Sequence, residues 1–400
     1  MGHFQFMAGL GAAAALASLA ASNEARPGGP GGPALDRCIA AEAGRLHFSG
    51  VVSVARPEGT ITWSQGASGA ASAQAGADTR FNLASAGKMF TAVAVAQLVD
   101  AGKVRLDDPI GLQVKGLTPQ AAAVTVRQLL THSSGLGNFF TPDNLPAIEK
   151  ARSVSDLLPL VTAEKPSFPP GSRFDYSNSG FLLLGALIER ASGLGYGQYL
   201  DQHVFRPAGM VASGLDAGPA STRAVGMTNL PAHPPRPPAG GAGPGHPGPG
   251  RGGPPPQGPL RPAPEAALHG TPAGGGYSTA ADLQRFFAAL AAGRLTSAAM
   301  LKELTSPQIV AAPAKGELPQ LDYGLGFGVG AASGHRWFGH NGGAPGVNAE
   351  TAAYPGDRIT VIVLSDRDPP GATRLFRKLQ AALFDPEVMS SCAAAAPPGR

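Results

Sequence analysis

The strongest constraint on the fold is an apolar segment, Phe90 to Val99, which is followed by the first charged residue, Asp100. A helix without a polar face is stable only when it is buried nearly all round. The segment therefore predicts a helix through the interior of a domain, with its N-terminal end also inside the fold. There the unpaired backbone N–H groups and the positive end of the helix dipole favour a negative charge.

Two side chains with complementary chemistry, Ser85 and Lys88, stand where this helix is predicted to begin. A spacing of three residues puts them on one helix face, within reach of each other. Burial and the positive helix end should both lower the proton affinity of the lysine, so its amine can help to deprotonate the serine. The pattern predicts a nucleophile with its proton partner. The alternative is a chance match, because the motif is short.

The uniqueness of two motifs favours chemistry over chance. Ser85 is the only serine in the chain that precedes a lysine by three residues, and Tyr176-Ser177-Asn178 is the only Tyr-x-Asn. Tyr176 follows a Pro-Gly turn and precedes an apolar run, which suits a catalytic loop position; the alternative is a half-buried core aromatic. The chain also lacks the Gly-x-Ser-x-Gly pattern, which argues against an α/β-hydrolase.

Composition limits the class of protein. Of the 400 residues 43% are hydrophobic, so the chain can bury a large core in one domain or two. The net charge of +4 is spread without a basic block, which predicts no nucleic-acid partner. Because Cys38 and Cys392 lack metal-ligand spacing, and Asp107 and Asp108 lack further ligands, we expect neither a metal nor a cofactor.

Residues 1–22 are interpreted as a signal peptide. Met7 to Ala21 is an apolar run with the length of an export signal, too short for a typical membrane span, and small residues follow it. No Lys or Arg precedes the run, so an uncleaved anchor and a misassigned start are the alternatives. We expect a periplasmic or secreted protein, without a stable membrane span after the signal is removed.

Strand-like runs near both ends of the chain, with helical signals between them, predict an α+β fold. Residues 34–84 and 318–386 should form one antiparallel sheet flanked by helices, with residues 85–317 inserted as a mainly helical part. An active site would lie between the two parts. Residues 231–264 are almost entirely Pro, Gly, Ala and Arg and predict a disordered insertion, and residues 387–400 predict a flexible tail.

The pairing of the two cysteines is left open by the sequence. Cys38 and Cys392 both flank terminal helices that the predicted sheet should bring together, and an exported protein meets an oxidising compartment. A disulfide between them is one possibility. Two free thiols are the other, because Cys392 belongs to the predicted tail.

A series of motifs occurs in a fixed order along the chain: Ser85-Ala86-Gly87-Lys88, Leu106-Asp107-Asp108-Pro109, Leu129-Leu130-Thr131-His132-Ser133-Ser134-Gly135-Leu136, Pro170-Gly171-Ser172, Tyr176-Ser177-Asn178, Pro207-Ala208-Gly209-Met210 and His340-Asn341-Gly342-Gly343. Together they resemble the serine β-lactamase-related family, which includes class C β-lactamases, D-alanyl-D-alanine carboxypeptidases and family VIII carboxylesterases. Ser-x-x-Lys is the nucleophile motif of class A β-lactamases and penicillin-binding proteins. The resemblance covers about Phe48 to Phe384 apart from the Pro/Gly-rich segment. It implies a β-lactamase/transpeptidase-like fold.

The resemblance also implies roles for the reacting groups. Ser85 would be the acylated nucleophile and Lys88 its proton-relay partner. Tyr176 would be the general base and later the acid, with a pKa lowered towards working pH by two nearby cations. The backbone N–H groups of Ser85 and Gly343 would form the oxyanion hole, where a glycine lets the carbonyl approach closely.

Substrate binding is implied for Asn178, through its amide, and for His340, Asn341 and Gly342. His340 replaces the first residue of the Lys-Thr-Gly typical of the β-lactamases, and an imidazole can be neutral at pH 7. We therefore expect weak or no β-lactam turnover. The glycines around His340 predict that it faces the cleft; the alternative is a strand histidine bonded to a backbone carbonyl. His132 is interpreted as a histidine that braces a loop.

Two functions fit these observations. The favoured one is a serine hydrolase that acts through an acyl-enzyme on an ester or amide, either a short-chain ester or a D-Ala-type peptide. The alternative is a catalytically silent penicillin-binding protein that holds peptidoglycan stem peptides in the same cleft. Pocket-shaping loops decide the substrate, and the sequence does not define their shape.

Overall fold

The computed structural model describes residues 32–68, 73–230, 258–263, 269–315 and 320–395. The predicted signal peptide, residues 231–257 and 264 of the predicted insertion, and residues 396–400 of the predicted tail lie outside these ranges. Within them, no helix combines the length and the apolar character needed to cross a membrane.

Most of the strands belong to one large sheet. In chain order the described strands are β1 (Gly50–Arg56), β2 (Gly59–Gln65), β3 (Ala67–Ser68), β4 (Ala73–Gln74), β5 (Phe81–Asn82), β6 (Met227–Thr228), β7 (Arg261–Pro262), β8 (Tyr277–Ser278), β9 (Ile309–Ala312), β10 (Leu321–Tyr323), β11 (Gly328–Ala332), β12 (His335–Ala344), β13 (Val347–Tyr354) and β14 (Ile359–Ser365). Eight of them form an antiparallel sheet in the order β2-β1-β14-β13-β12-β11-β10-β9. Strands from both ends of the chain thus meet in one sheet, as predicted.

Helices fill the middle of the chain and flank the sheet. In chain order the described α-helices are α1 (Gly32–Arg45), α2 (Lys88–Asp100), α3 (Pro119–Ala122), α4 (Val126–Leu130), α5 (Leu145–Lys150), α6 (Val154–Leu157), α7 (Asn178–Ser192), α8 (Tyr196–Leu200), α9 (Arg206–Ala208), α10 (Ala280–Ala291), α11 (Ala298–Leu304), α12 (Gly371–Phe384) and α13 (Pro386–Ala394). The α+β class and the inserted, mainly helical part are therefore confirmed.

The large sheet has two faces with different neighbours. Its front face, with Val51, Ala349 and Ile362, belongs to the hydrophobic core that contains α2 and α7. Its back face, with Val52 and Val363, packs against α1, α12 and α13. Because side chains alternate along a strand, neighbouring residues of one strand serve different cores.

The expectation for α2 is confirmed. Every side chain from Lys88 to Ala96 is buried, and the helix packs against α7, α8 and α11 as well as against β12. Met89 lies against the front of the sheet, where its sulfur accepts a hydrogen bond from the hydroxyl of Thr351 at 3.6 Å. The N-terminal end of α2 is thereby fixed beside the sheet.

Three predicted boundaries differ from the structure. β9 joins the sheet at residues 309–312, before the predicted start at 318. Within the predicted insertion, residues 261–262 form β7, which pairs with β6. The predicted tail instead forms α13 as far as Ala394, because a disulfide from Cys392 to Cys38 fastens it to α1.

Candidate active site

Ser85 lies on a tight 3₁₀ turn, Ala84–Gly87, between β5 and α2, so α2 begins three residues later than the motif suggested. Two backbone segments press on this turn. A Cβ atom on Gly342 would come within 2.0 Å of the Leu83 carbonyl oxygen, and one on Gly274 within 2.5 Å of the Ala84 carbonyl oxygen. Only glycine fits either position, so β12 and the Gly274–Gly276 turn hold Ser85 between them.

Lys88 is completely buried and has three polar neighbours. Its Nζ donates to Oδ1 of Asn178 at 2.7 Å and to the carbonyl of Ala273, and Oγ of Ser85 lies 3.3 Å away. None of the three is a carboxylate, and burial lowers the pKa of Lys88 well below its usual value. Burial therefore favours the neutral form of the amine.

The neighbours of Lys88 fix the direction of proton transfer. A neutral amine has two protons and one lone pair. The amide oxygen of Asn178 and the carbonyl of Ala273 can only accept, so they take the two protons. In the neutral form the lone pair is then left for Ser85, whose hydroxyl lies 3.3 Å away and has a proton to give.

Tyr176 comes two residues before α7 and borders both Ser85 and Lys88. Its ring centroid lies 4.7 Å from Nζ of Lys88, and its hydroxyl oxygen is buried. Burial raises the pKa of Tyr176, and a hydrogen bond with the Ser85 side chain offsets only part of this effect. The expected lowering of this pKa is wrong, because burial disfavours the charged phenolate.

Both the oxygen and the nitrogen of the Asn178 side-chain amide form hydrogen bonds within the protein. Oδ1 accepts from Lys88, and Nδ2 donates to Oδ1 of Asn138 at 2.9 Å. Asn178 therefore positions Lys88, and its contact with a substrate carbonyl stays a prediction, because the bond to Asn138 uses only one of the two N–H groups of the amide. The half-buried Asn138 lies next to it at the site, and nothing in its local sequence pattern identified it.

The strand side of the site is formed by β12. β11 ends its pairing at Gly328 opposite Gly339, so residues 340–344 are paired with β13 on one side only. Gly342 faces Ser85 on the front of the sheet. Asn341 instead pairs with Glu350, whose carboxylate bonds to Thr373 of α12 on the back. The Asn341 side chain thus lies on the face away from Ser85, because neighbouring residues of a strand alternate between faces, and the substrate contact of Asn341 stays a prediction.

Gly343 follows Gly342 along the same stretch of β12 and pairs with Asn348. A Cβ atom built on Gly342 would lie 3.1 Å from the backbone nitrogen of Ala86, the residue after Ser85. The backbone of this part of β12 therefore runs directly beside the serine turn. A carbonyl group attacked by Ser85 would therefore lie next to this strand.

His340 is 95% buried, since its exposed fraction is 5%, and both of its ring nitrogens have partners. Nδ1 lies 2.6 Å from the carbonyl oxygen of Asn341, and Nε2 lies 2.7 Å from the hydroxyl of Tyr323. This arrangement fits the alternative from the sequence, a strand histidine bonded to a backbone carbonyl. The ring borders the site beneath Tyr176, with 6.5 Å between the ring centroids.

His132 braces a loop, as interpreted, and it also contacts two tyrosines of the site. Its Nδ1 accepts from the backbone N–H of Ser177 at 3.0 Å, and its Nε2 lies 3.2 Å from the hydroxyl of Tyr323. Its ring also stacks on Tyr176, with 4.1 Å between centroids. Tyr323 therefore joins two histidines that are far apart in the sequence, a role that its position in a strand-like run did not indicate.

A buried carboxylate holds the loop that carries Asn138. Glu164 accepts from the hydroxyl of Ser179 at 2.6 Å and from the backbone N–H of Gly137 at 2.8 Å. Burial raises the pKa of Glu164, while these two hydrogen bonds act against the shift. In the part of the chain that the structure describes, no group of three His, Cys, Asp or Glu side chains is arranged to hold a metal ion.

A serine beside a buried lysine, at the end of a buried helix and next to a strand edge, is the arrangement of a class of serine hydrolases. The sequence model of the Beta-lactamase family matches residues 35–385, and the chain belongs to this family. Penicillin-binding protein 4* of Bacillus subtilis is 35% identical over 134 residues, which cover 32% of this chain and 29% of that protein. Esterase EstB of Burkholderia gladioli is 33% identical over 181 residues, 40% of this chain and 45% of EstB.

Solved structures extend the similarity to nearly the whole fold. The penicillin-binding protein from Bacillus halodurans has a TM-score of 0.70 and 27% identity, covering 86% of this chain and 98% of its own. The D-amino acid amidase from Ochrobactrum anthropi SV3 has a TM-score of 0.67 at 22% identity, covering 90% and 97% respectively, which is a likeness of fold. The curated relatives themselves are matched over less than half of their length.

Proposed function

We propose that this serine hydrolase acts through an acyl-enzyme on short-chain esters or D-Ala-type amides, with weak or no β-lactam turnover. The observation that carries the proposal is the buried amine of Lys88, which lies 3.3 Å from the Ser85 hydroxyl and whose neutral form is favoured by burial. A silent binding protein would not need a lysine buried at the expense of its charge. The intact Ser85, Lys88 and Tyr176 group therefore favours the enzyme.

The first step is acylation of Ser85. Its hydroxyl proton passes to Nζ of Lys88 as Oγ bonds to the substrate carbonyl carbon, and the carbonyl electron pair moves to the oxygen. The backbone N–H groups of Ser85 and Gly343 stabilise that oxyanion. Its collapse breaks the bond to the leaving group, which takes a proton from the hydroxyl of Tyr176 while Lys88 returns its proton to Tyr176.

The second step is hydrolysis of the acyl-enzyme. A water molecule adds to the acyl carbon and gives a proton to Tyr176, which passes its own proton on to Lys88. The bond from the acyl carbon to Oγ of Ser85 then breaks, and Oγ takes the proton back from Lys88. Tyr176 relays a proton in both steps and is a neutral phenol before the reaction begins, because burial raises its pKa. The group that accepts the first proton is therefore Lys88.

The surroundings of the site support a neutral substrate. The ring nitrogens of His340 are hydrogen-bonded to Tyr323 and to the carbonyl of Asn341, so both are already engaged within the protein rather than by a substrate carboxylate. An ion pair in a partly desolvated site contributes more than a neutral hydrogen bond of about 1 kcal/mol. The unpaired edge of residues 340–344 suits an extended acyl or peptide chain.

We also propose that the protein is exported to the periplasm or secreted. The apolar N-terminal run has the length of a signal sequence, and the Cys38–Cys392 disulfide suits an oxidising compartment. Intact-mass analysis of the protein recovered from an extracytoplasmic fraction tests this. A chain that still begins at Met1 and stays in the cytoplasm would contradict it.

The test of the catalytic proposal is Ser85→Ala, with Ser192→Ala at the end of α7 as the matched control. Loss of the nucleophile should lower turnover of p-nitrophenyl butyrate by at least about 10⁴-fold and abolish labelling by a fluorophosphonate. The control should keep both. A Ser85→Ala protein with a tenth of wild-type turnover would refute the assignment, and a wild type that is neither labelled nor active would favour the binding protein.

Substrate class is decided by comparing the same ester with a chromogenic cephalosporin and a D-Ala-D-Ala peptide. We expect the cephalosporin to be the poorest of the three, because the site has no fixed cation on His340. Faster turnover of the cephalosporin than of the ester would contradict the substrate assignment. It would leave the acyl-enzyme mechanism intact.

A further inference from the structure

We infer that His132 and Tyr323 are positioning residues for acyl transfer: with His340 they form a directional chain of hydrogen bonds that holds Tyr176 in place relative to β12. The inference rests on the proposed function, because it concerns the geometry of that site. The chain of contacts runs from the backbone of Ser177 to the backbone of Asn341.

The two backbone ends of the chain fix its direction. The N–H of Ser177 can only donate, so Nδ1 of His132 is an acceptor and, in the neutral ring, Nε2 carries the proton. The carbonyl of Asn341 can only accept, so Nδ1 of His340 carries the proton and its Nε2 is an acceptor. The two histidines must therefore adopt opposite tautomers.

Tyr323 is the residue that can join two such rings. Its hydroxyl accepts from Nε2 of His132 and donates to Nε2 of His340, at 3.2 and 2.7 Å. A phenol accepts and donates at once, as this position requires. Burial raises the pKa of Tyr323 well above its usual value, so the hydroxyl keeps the proton that it donates.

The chain connects the two parts of the fold across the site. His132 and Ser177 belong to the helical part, after α4 and before α7, whereas Tyr323 and His340 lie on β10 and β12 of the sheet. Tyr176 precedes Ser177 and stacks on the His132 ring. A displacement of the chain would therefore move the Tyr176 hydroxyl relative to the strand edge where the substrate carbonyl is held.

The backbone of His132 supports a functional role. Its φ of 55° lies in the left-handed region, which residues other than glycine seldom adopt. Hydrogen bonds hold it there on both sides, because its N–H donates to Leu129 and its carbonyl accepts from Asp175. A disfavoured conformation that the surroundings enforce at a site is a reason to look for function.

The test is Tyr323→Phe, which removes the one hydroxyl that joins the histidines. Tyr354→Phe is the matched control, since Tyr354 is also buried and its hydroxyl accepts from Gln380 at 2.6 Å on the back of the sheet. For p-nitrophenyl butyrate we expect kcat to fall about 10- to 100-fold in Tyr323→Phe, with KM nearly unchanged, because misplaced reacting groups slow chemistry more than binding. The control should keep kcat within about twofold, since it touches no group of the site.

A wild-type kcat in Tyr323→Phe, or an effect confined to KM, would overturn the inference. If that variant does not fold, nitrogen NMR of the histidine rings decides instead. In Ser85→Ala protein, His132 should show the Nε2–H tautomer and His340 the Nδ1–H tautomer. Any other pair of tautomers refutes the chain. The NMR result does not depend on hydrolysis, so it separates failure of this inference from failure of the proposed function.

Discussion

The two faces of the central sheet are built from alternate residues of the same strands, yet they are held by different forces. The front face is organised by buried polar groups with defined partners, such as Lys88 and His340. The back face is mostly aliphatic and aromatic packing, closed by the Cys38–Cys392 disulfide.

This difference separates chemistry from stability within a single sheet. Changes on the front should act on rate more than on folding, because they alter the groups that move protons. Changes on the back should act on folding with little effect on rate. An exception on the back is Glu350, a buried carboxyl that bonds to Thr373.

The largest expected effect is that of Lys88→Met on the front. Methionine has similar length and no proton to exchange, so hydrolysis of p-nitrophenyl butyrate should fall by about 10³-fold. The melting temperature should stay within a few degrees, because the lost hydrogen bonds to Asn178 and Ala273 are offset by no longer burying an amine. Lys378→Met on α12 is the control and should alter neither. A large loss of stability in Lys88→Met without a loss of rate would reverse the comparison.

The next effect should come from the back, in the double variant Cys38→Ser with Cys392→Ser. The disulfide closes a separation of 354 residues, and its loss should lower the free energy of unfolding by about 2 to 4 kcal/mol. Because the bond lies behind the sheet, kcat/KM should be unchanged at temperatures where the variant is folded. Denaturant titration and initial rates measure the two quantities. A tenfold loss of kcat/KM in the folded variant would show that the faces are coupled.

The smallest expected effect concerns the pH dependence of stability. Burial raises the pKa of Glu350 from 4.5 to about 7. A carboxyl with a raised folded-state pKa stabilises the fold fully below about pH 4.5, and this contribution is lost as the pH rises through about 7. Glu350→Gln removes this titration and can still accept from Thr373.

The variant should therefore match the wild type near pH 5 and exceed it at pH 8, by at most about 3 kcal/mol. Denaturant titrations of both proteins at the two pH values measure this. Parallel pH profiles for the two proteins would mean that Glu350 ionises without cost. Burial of the Glu350 carboxylate on the back face would then not lower the stability of the fold.

The sequence predicted local features well. An apolar run without a polar side predicted the buried α2, and a spacing of three residues brought Ser85 and Lys88 together at its start. Both follow from the period of a helix, which involves neighbours along the chain. The α+β arrangement followed from where strand-like and helix-like periods occur.

What the sequence did not predict depends on contacts between distant segments. Tyr323 lies 191 positions from His132 and 17 from His340, and no local period signals that they meet. The pKa of Tyr176 had the wrong expected direction because it depends on how deeply the fold buries the phenol. The opposite faces of Asn341 and Gly342, by contrast, follow from the alternation along β12, which the sequence does predict.

The pairing of β6 with β7 has a consequence for how this protein can change. Met227 pairs with Pro262 and Thr228 with Arg261, and the Arg261 guanidinium donates to the carbonyl of Leu230. The pairing of β6 with β7 thus holds the two ends of the intervening segment next to each other, whatever the length of that segment. Because the entropy of closing a loop grows only slowly with length, insertions and deletions there are nearly neutral for the fold. Such a position lets a lineage gain or lose sequence, or an engineer fuse a reporter, without shifting the register of the catalytic sheet.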